Sequence, residues 1–344
     1  MPKKNQPLNL EDIAERAGVS RSTVSRVINN EPYVSQKTRM KVEQVIEEVG
    51  FTPNPVARML VTQKTRIIGV VIPHTLDDVF DDPFYFPTLL QGVAETTNAN
   101  DYGMLLWLGQ SDEDEARFHR RVLQNRLMDG LILVSIRVND PWIEQLLESD
   151  IPFTMVERPR QFEEHVSYVG LDNVQAAQMA VKHLIGLGYQ RIGTITGALD
   201  NYDALDRLDG YKIALENAGR DVDETLIADG DFRYQSGYDA MQYLLSQGVD
   251  AVFAASDRMA MGALQALQEA DLRVPDDVAL VGFDDLPGAL RSKPPLTTIH
   301  QPIRQKGARA AEILLNLIEG EITAPQQVIL PTKLVVRQSC GGAD

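Results

Sequence analysis

The sequence predicts a small all-α head built around a helix-turn-helix, followed by a larger α/β body of doubly wound parallel sheets. Three observations carry this expectation. The N-terminal segment sets apolar residues at helical spacing between helix-capping residues. Beyond residue 66, short β-branched runs alternate with amphipathic stretches. The charge is also divided: residues 1–66 hold 11 Lys and Arg against 7 Asp and Glu, whereas the rest hold 22 against 42, within a total of −16. A basic head on an acidic body gathers attraction for phosphate in one place and lets the body repel it.

Within the head, Asn9 is placed to cap a helix from Leu10, and Asp12 stands where a capping box wants an acid or amide. Ile13, Ala14 and Ala17 form the apolar face of this helix, and Gly18 supplies a left-handed stop. Val19 plugs the turn. Ser20 caps a second helix running to about Asn29, with Val24, Val27 and Ile28 turned inward. A third helix follows Ser35, carries Met40, Val42, Val45, Ile46 and Val49 as its apolar positions, and ends at Gly50. Two short helices about a Gly-containing turn make a helix-turn-helix, and the second exposes Arg21, Ser22, Thr23, Ser25 and Arg26. Short donors and arginines suit base edges and phosphates in a major groove. The competing reading is a plain helical bundle with a solvated face.

The wording goes further than the spacing. LEDIAERAGVSRSTVSRVIN over residues 10–29, VS at 34–35 and TR at 38–39 resemble the head of the lactose-repressor (LacI/GalR) family. FTPNPVARML over 51–60 resembles that family's hinge motif, with Phe51 in place of the usual Tyr. The resemblance implies that Arg21, Ser22 and Arg26 read the major groove, while Thr23, Ser25 and Asn29 hold phosphates or the docking angle. It also implies that Leu60, flanked by Ala57 and Arg58, wedges the minor groove as part of a paired hinge helix. A helix this short, opened by Pro53 and Pro55, is marginal in isolation and suits ordering upon binding. The competing reading is a plain linker whose Leu60 packs on the body.

In the body, segments 67–72, 104–108, 131–134, 153–156, 192–196, 251–254 and 279–282 read as buried strands. Helices are expected over 84–100, 114–127, 173–187, 207–218, 236–247 and 257–270. The length is too great for one such sheet, so two subdomains are expected, with ligand beyond the carboxyl ends of the strands. The segments GVVIP at 69–73, DGLILV at 129–134, HLIGLGY at 183–189, RLDGY at 207–211, VGFDD at 281–285 and PLTTI at 295–299 continue the family resemblance. They imply a periplasmic-binding-protein-like body of two α/β lobes with a ligand cleft between them. The expected boundaries are 5–52 for the head, 53–65 for the hinge, 66–187 with 301–331 for the first lobe, and 188–300 with 332–340 for the second.

Sugars are held by paired polar side chains and by aromatic faces. Arg207, Asp257 and Asp284 lie near strand ends or helix starts and are the polar candidates on the second lobe. The resemblance implies hydroxyl contacts for Arg207 and Asp284, a contact for Ser256 where some relatives carry Asn, and a cleft-facing Gln301 at a crossover. On the first lobe, Phe84, Tyr85 and Trp107 offer stacking faces, and Arg137 or Glu157 offers polar contacts. Asp172 reads more readily as a helix cap than as a cleft residue. A buried ion pair between the lobes is the competing reading of Arg207 and Asp284.

No run of about 18 apolar residues spans a membrane. The start, MPKKNQP, lacks an apolar signal core, and Cys340 is the single cysteine, so a cytoplasmic protein is expected. The sequence holds no phosphate-loop, nucleophile-elbow, HExxH or GxGxxG motif, and His74, His119, His165, His183 and His300 show no ligand spacing. The expectation is therefore a regulator without cofactor or metal, not an enzyme and not a transport-type binding protein, which has no use for residues 9–60. Its partners are operator DNA, a small effector, most simply a mono- or disaccharide, and a second copy of itself. Family tetramers add a C-terminal leucine heptad that this sequence lacks, so a dimer is expected. An effector resembling that of the maltose-regulator branch, a glucose-based disaccharide, fits the aromatic residues 84–86 and 107. Whether effector releases or tightens the grip on DNA stays open.

Overall fold

The computed structural model of the chain describes residues 8–29, 31, 33–51, 59, 64–72, 79, 83–108, 117 and 127–342. They form two compact units, a head up to Arg66 and a body from Ile67.

The head is three helices whose ends are set by local chemistry. Helix α1 (Leu10–Ala17) starts at Asn9, whose side chain accepts from the amides of Glu11 and Asp12 while the Asp12 carboxylate accepts from the amide of Asn9. Gly18, at φ 60°, ends it. Helix α2 (Arg21–Ile28) starts at Ser20, whose Oγ accepts from the Thr23 amide. Helix α3 (Gln36–Val49) starts at Ser35 and ends at Gly50. Ile13, Ala17, Val24 and Val42 are wholly buried between the helices. Met40, expected on the inner face of α3, is 63% exposed. Two residues before Val42, it stands about 200° round the helix from that buried position.

The body contains two six-stranded sheets. The first has the order β11-β5-β4-β3-β1-β2, made of β1 (Ile67–Ile72), β2 (Gly103–Leu108), β3 (Gly130–Leu133), β4 (Phe153–Met155), β5 (Ser167–Leu171) and β11 (Gln327–Leu330). The second has the order β12-β10-β9-β8-β6-β7, made of β6 (Ile192–Ile195), β7 (Ile227–Ala228), β8 (Ala251–Ala254), β9 (Ala279–Asp284), β10 (Thr297–His300) and β12 (Lys333–Val335). All pairings are parallel except β10 with β12. In each sheet the first strand lies between the second and the third. This places a topological switch point beside β1 and another beside β6, where open α/β sheets bind ligands.

Eight α-helices among the described residues of the body, with three single-turn 3-10 helices (Glu163–His165, Glu224–Leu226 and Gln338–Cys340), cover these sheets. The α-helices are α4 (Tyr85–Ala99), α5 (Trp142–Leu147), α6 (Asn173–Gly186), α7 (Tyr202–Asn217), α8 (Tyr234–Ser246), α9 (Asp257–Glu269), α10 (Pro287–Arg291) and α11 (Ile303–Glu319). Helix α11 packs on α4 and on β3–β5. The two helices touch backbone to backbone: a Cβ on Gly92 would lie 2.0 Å from the Arg304 carbonyl, and one on Gly307 would lie 2.2 Å from that of Leu89.

The chain passes between the sheets three times, after β5, after β10 and between β11 and β12. One boundary differs from the sequence expectation. Helix α6, assigned with residues 66–187 to the first lobe, packs on α7 and on β6, β8, β10 and β12 of the second sheet. Its buried face of Ala176, Ala177, Ala180 and Leu184 fits that sheet, so the first crossing comes at Asp172 and not after residue 187. Helix α7 also begins earlier than residue 207, because Asn201 caps it by accepting from the Ala204 amide. The helix expected over 114–127 lies almost wholly outside the described residues.

Candidate functional site

The carboxyl ends of both sheets converge on a cleft of about 260 Å³. Its first-lobe wall comes from Tyr85 and Phe86 at the start of α4 and from Ser135 and Arg137 after β3. The second-lobe wall comes from Ala198, Asp200 and Asn201 after β6, Asp203 and Arg207 on α7, Asp231, Phe232 and Arg233 after β7, Ser256 and Arg258 after β8, and Asp284 ending β9.

The floor is charged and buried. Arg207 is 3% exposed. Its guanidinium lies 3.7 Å from the centroid of the Phe283 ring, donates from Nε to Asn173 Oδ1 at 3.0 Å and from Nη1 to the Ala255 carbonyl at 2.6 Å. Asp203 and Asp284 stand 3.7 and 3.8 Å from it. Asn173 passes the connection on, its Nδ2 donating to Asp203 Oδ1 at 2.9 Å. Gln301 donates to Asp284 Oδ1 at 2.6 Å. Asp284 adopts φ 116°, a backbone region that costs a non-glycine residue free energy and persists where the surroundings over-determine it. The guanidinium is thus fixed as a planar fork between two carboxylates, an arrangement suited to paired hydrogen bonds with hydroxyls.

Asp257 lies behind this floor. It accepts from Thr298 Oγ1 at 2.6 Å and from the Leu286 amide at 2.8 Å, and its burial, with Asp284 nearby, pushes its carboxyl well above the usual range. It ties α9 to β10 and does not line the cleft. Ser256 both lines the cleft and caps α9, its Oγ accepting from the Met259 amide.

A second buried group lies across the lobes from Arg207. Lys306, on the first turns of α11, is 0% exposed and stands 3.7 Å from Asp203 Oδ2. Burial alone would lower its pKa, but Tyr85, Asp203 and Glu157 outweigh that and hold it above the ordinary lysine value. Glu157, just past β4, accepts from the Ser135 amide, and burial followed by the Asp203 charge pushes its carboxyl well above the usual range. The rim is solvated: Arg137 pairs with Asp200 at 3.8 Å, and the Val138 amide donates to the Asp200 carbonyl at 2.6 Å, joining the lobes.

Of the sequence candidates, Tyr85, Arg137, Arg207, Ser256 and Asp284 meet at the cleft, with Gln301 and Asp257 directly behind. Phe84 sits before α4 and packs on the main core. Trp107, on β2, packs against the buried cluster that holds Val71, Leu131 and Leu133 and is not part of the lining. Asp172 caps α6, accepting from the Gln175 amide at 2.9 Å. Asp200, Asn201, Asp203, Asp231, Phe232, Arg233, Arg258 and Lys306 were not found from sequence. Most follow a strand end, a positional signal that was available; Phe232 needed the fold, since its ring covers Gly197, where a Cβ would lie 2.1 Å from it.

In the head, Arg21, Ser22 and Arg26 are exposed on α2, and Thr23, Ser25 and Asn29 are partly so. Arg21 pairs with Glu11 at 3.0 Å and Arg26 with Glu31 at 3.7 Å, exposed pairs that cost little to break in favour of a phosphate or a base. Ser22 and Thr23 hydroxyls both lie 2.8 Å from Ser20 Oγ. Ala57, Arg58 and Leu60 lie outside the described residues. No described helix is long and apolar enough to cross a membrane, and no described cluster of His, Cys, Asp and Glu could hold a metal ion.

Residues 9–54 match the family described as bacterial regulatory proteins, lacI family, and residues 181–340 match the periplasmic binding protein-like domain. The HTH-type transcriptional regulator CelR of Thermobifida fusca is 41% identical over 342 residues, covering 98% of this chain and 100% of that protein. The ribose operon repressor of Escherichia coli (strain K12) is 34% identical over 332 residues, 96% of this chain and 99% of that one. Among solved structures, a CelR–cellobiose complex aligns with a TM-score of 0.77 at 38% identity over 96% of this chain and 99% of its own. A lac repressor dimer bound to operator and an anti-inducer aligns with a TM-score of 0.82 at 28% identity over 97% and 99%.

Proposed function

The chain belongs to the LacI family of bacterial regulatory proteins, and from that membership we propose that it is a cytoplasmic repressor controlled by a sugar. Two heads of a homodimer read a two-fold operator through Arg21, Ser22 and Arg26, with Thr23, Ser25 and Asn29 supporting the docking. Residues 53–65 form the hinge, and Ala57, Arg58 and Leu60 enter the minor groove there. The protein works by binding alone and catalyses no reaction.

The observation that carries the effector reading is the cleft itself. Arg207 is locked between Asp203 and Asp284, with the rings of Tyr85, Phe86 and Phe232 on the walls. Fixed donors and acceptors beside aromatic faces match a polyhydroxylated ring, and the described lining residues include no nucleophile–base pair to act on it. The relative crystallised with cellobiose makes a β-linked glucose disaccharide the first effector to test. Effector and operator then bias one equilibrium between lobe arrangements, and each must change the affinity for the other by the same factor.

The test is a gel shift of the full chain on its upstream intergenic DNA, with cellobiose, maltose, glucose and ribose added in turn. Specific retardation that one sugar alters supports the proposal. No retardation at low salt, with or without sugar, overturns it.

A further inference from the structure

Three polar atoms at the deep end of the cleft are out of balance with their surroundings. Lys306 Nζ, Glu157 Oε2 and Gln301 Oε1 are buried and find no hydrogen-bond partner among the described residues. Two of them lie directly behind the lining. Lys306 stands 3.7 Å from Asp203, which lines the cleft, and Glu157 is held by the amide of Ser135, which also lines it. The side chain of Tyr85, a third lining residue, interacts electrostatically with both.

A buried ammonium that faces a carboxylate at 3.7 Å without hydrogen-bonding to it is left partly uncompensated, and so is a carboxyl oxygen with no hydrogen bond. Local packing does not require the cation. Lys306 occupies the inner stripe of α11 with Ile303, Gly307 and Ala310, where an apolar side chain of similar length would serve the core. Asp203 does not need it either, since Asn173 and Arg207 already face that carboxylate. A charged residue kept where the fold prefers an apolar one points to a ligand.

We propose that Lys306 and Glu157 form a deep specificity subsite that seats two adjacent free hydroxyls on a terminal ring of the effector. Lys306 offers donors only, while Glu157 offers one oxygen, its other being taken by backbone amides. A vicinal diol, each hydroxyl both donor and acceptor, satisfies both at once. A lone hydroxyl or an apolar group satisfies one at most, and a ring whose hydroxyls at that end are substituted loses the donors that Glu157 requires. This subsite rests on the sugar reading of the cleft and narrows it to saccharides entering by an unsubstituted terminal ring.

The experiment is calorimetric titration of the full-length protein, its Lys306→Met variant and its Glu157→Gln variant with cellobiose, paired with melting of each protein without sugar. The expected result is an opposed pair of changes for Lys306→Met: binding at least tenfold weaker, and a melting temperature equal to or above that of the wild type. Glu157→Gln, which keeps a donor and an acceptor, loses less affinity than Lys306→Met. Lys306→Met binding within twofold of the wild type overturns the subsite. Weaker binding together with a lowered melting temperature also overturns it, since that pattern marks a structural ion pair. A folded wild type that takes up none of cellobiose, maltose, glucose and ribose instead sinks the sugar reading, and the subsite with it.

Discussion

Replacing Arg207 with Met isolates what the buried guanidinium does. The Met side chain can still lie on the Phe283 ring, 3.7 Å below the present guanidinium, so the apolar volume is largely kept. What goes is polar: the hydrogen bonds to Asn173 Oδ1 and the Ala255 carbonyl, and the countercharge to Asp203 and Asp284. Each lost charged hydrogen bond is worth about 1.5–3 kcal/mol. Removing one partner of a buried charge cluster costs about 3–5 kcal/mol, because the carboxylates left behind are unmatched. For a domain of this size each kcal/mol moves Tm by about 2–4 °C, which gives a fall of about 6–20 °C. Differential scanning calorimetry of both proteins reads this directly, and titration with cellobiose reads the accompanying loss of effector affinity. Arg207→Lys should fall between the two, since an ammonium can reach one acceptor but cannot reproduce the planar fork. A Met variant that melts within about 2 °C of the wild type and binds sugar equally would refute the description of Arg207 as the keystone of the floor.

Four further outcomes are expected. Arg26→Ala should weaken operator binding by about 1–3 kcal/mol and relax base preference at one position of each half-site, measured by fluorescence anisotropy on a set of single-base operator variants. Effector titrated with and without operator should give two different affinities, with a ratio equal to the ratio of operator affinities with and without effector. Gly92→Ala, whose Cβ would lie 2.0 Å from the Arg304 carbonyl, should destabilise by about 1–3 kcal/mol in urea titration, whereas Gly186→Ala, with nothing within 4 Å, should stabilise by about 0.4–1 kcal/mol. Glu157 carries a pKa raised above its ordinary 4.5 by burial and by Asp203, so the native state holds its proton more tightly than the unfolded chain does. Its stabilising effect is therefore complete below that ordinary value and fades as pH rises through the raised one. Against Glu157→Gln, the wild type should lose ground steadily in urea midpoints from about pH 4.5 upward, and a flat difference would contradict the raised value.

The head was legible almost to the residue because its determinants are local. Asn9 with Asp12, Ser20, Ser35, Gly18 and Gly50 each announce a helix end within a few positions of where they act. Most strands of the body up to β9 were legible as short apolar runs; the exceptions are β5, whose SYVGL mixes polar and apolar residues, and β7, which is only two residues long. Beyond β9 the local signals weaken: β11 and β12 are short, largely exposed and placed at sheet edges, and their membership depends on chain crossings that no local pattern encodes. Helix α6 shows the same limit from the other side. Its existence and its cap at Asp172 were readable, but the lobe it covers is decided by which sheet offers a matching surface. Lys306 did leave a trace, since it interrupts an apolar stripe running from Ile303 through Gly307 to Ala310, although a lysine at such a position ordinarily reads as a surface residue.

The distribution of charge over the floor explains how one small molecule can bias the whole body. Lys306 and Glu157 come from the first lobe, while Arg207, Asp203 and Asp284 come from the second. The Lys306–Asp203 pair, at 3.7 Å, is thus a contact between lobes and not within one. At an effective dielectric constant of about 20 its attraction is about 4 kcal/mol, set against the desolvation of both ions, so the net preference for this lobe spacing is small. A near-balance of that kind is what a ligand can tip. A ligand hydroxyl that reached Lys306 and Arg207 together would touch both lobes, and its binding free energy would change with their spacing. Sensitivity to spacing is the differential affinity that any ligand-driven shift requires, and a site built wholly on one lobe could not supply it.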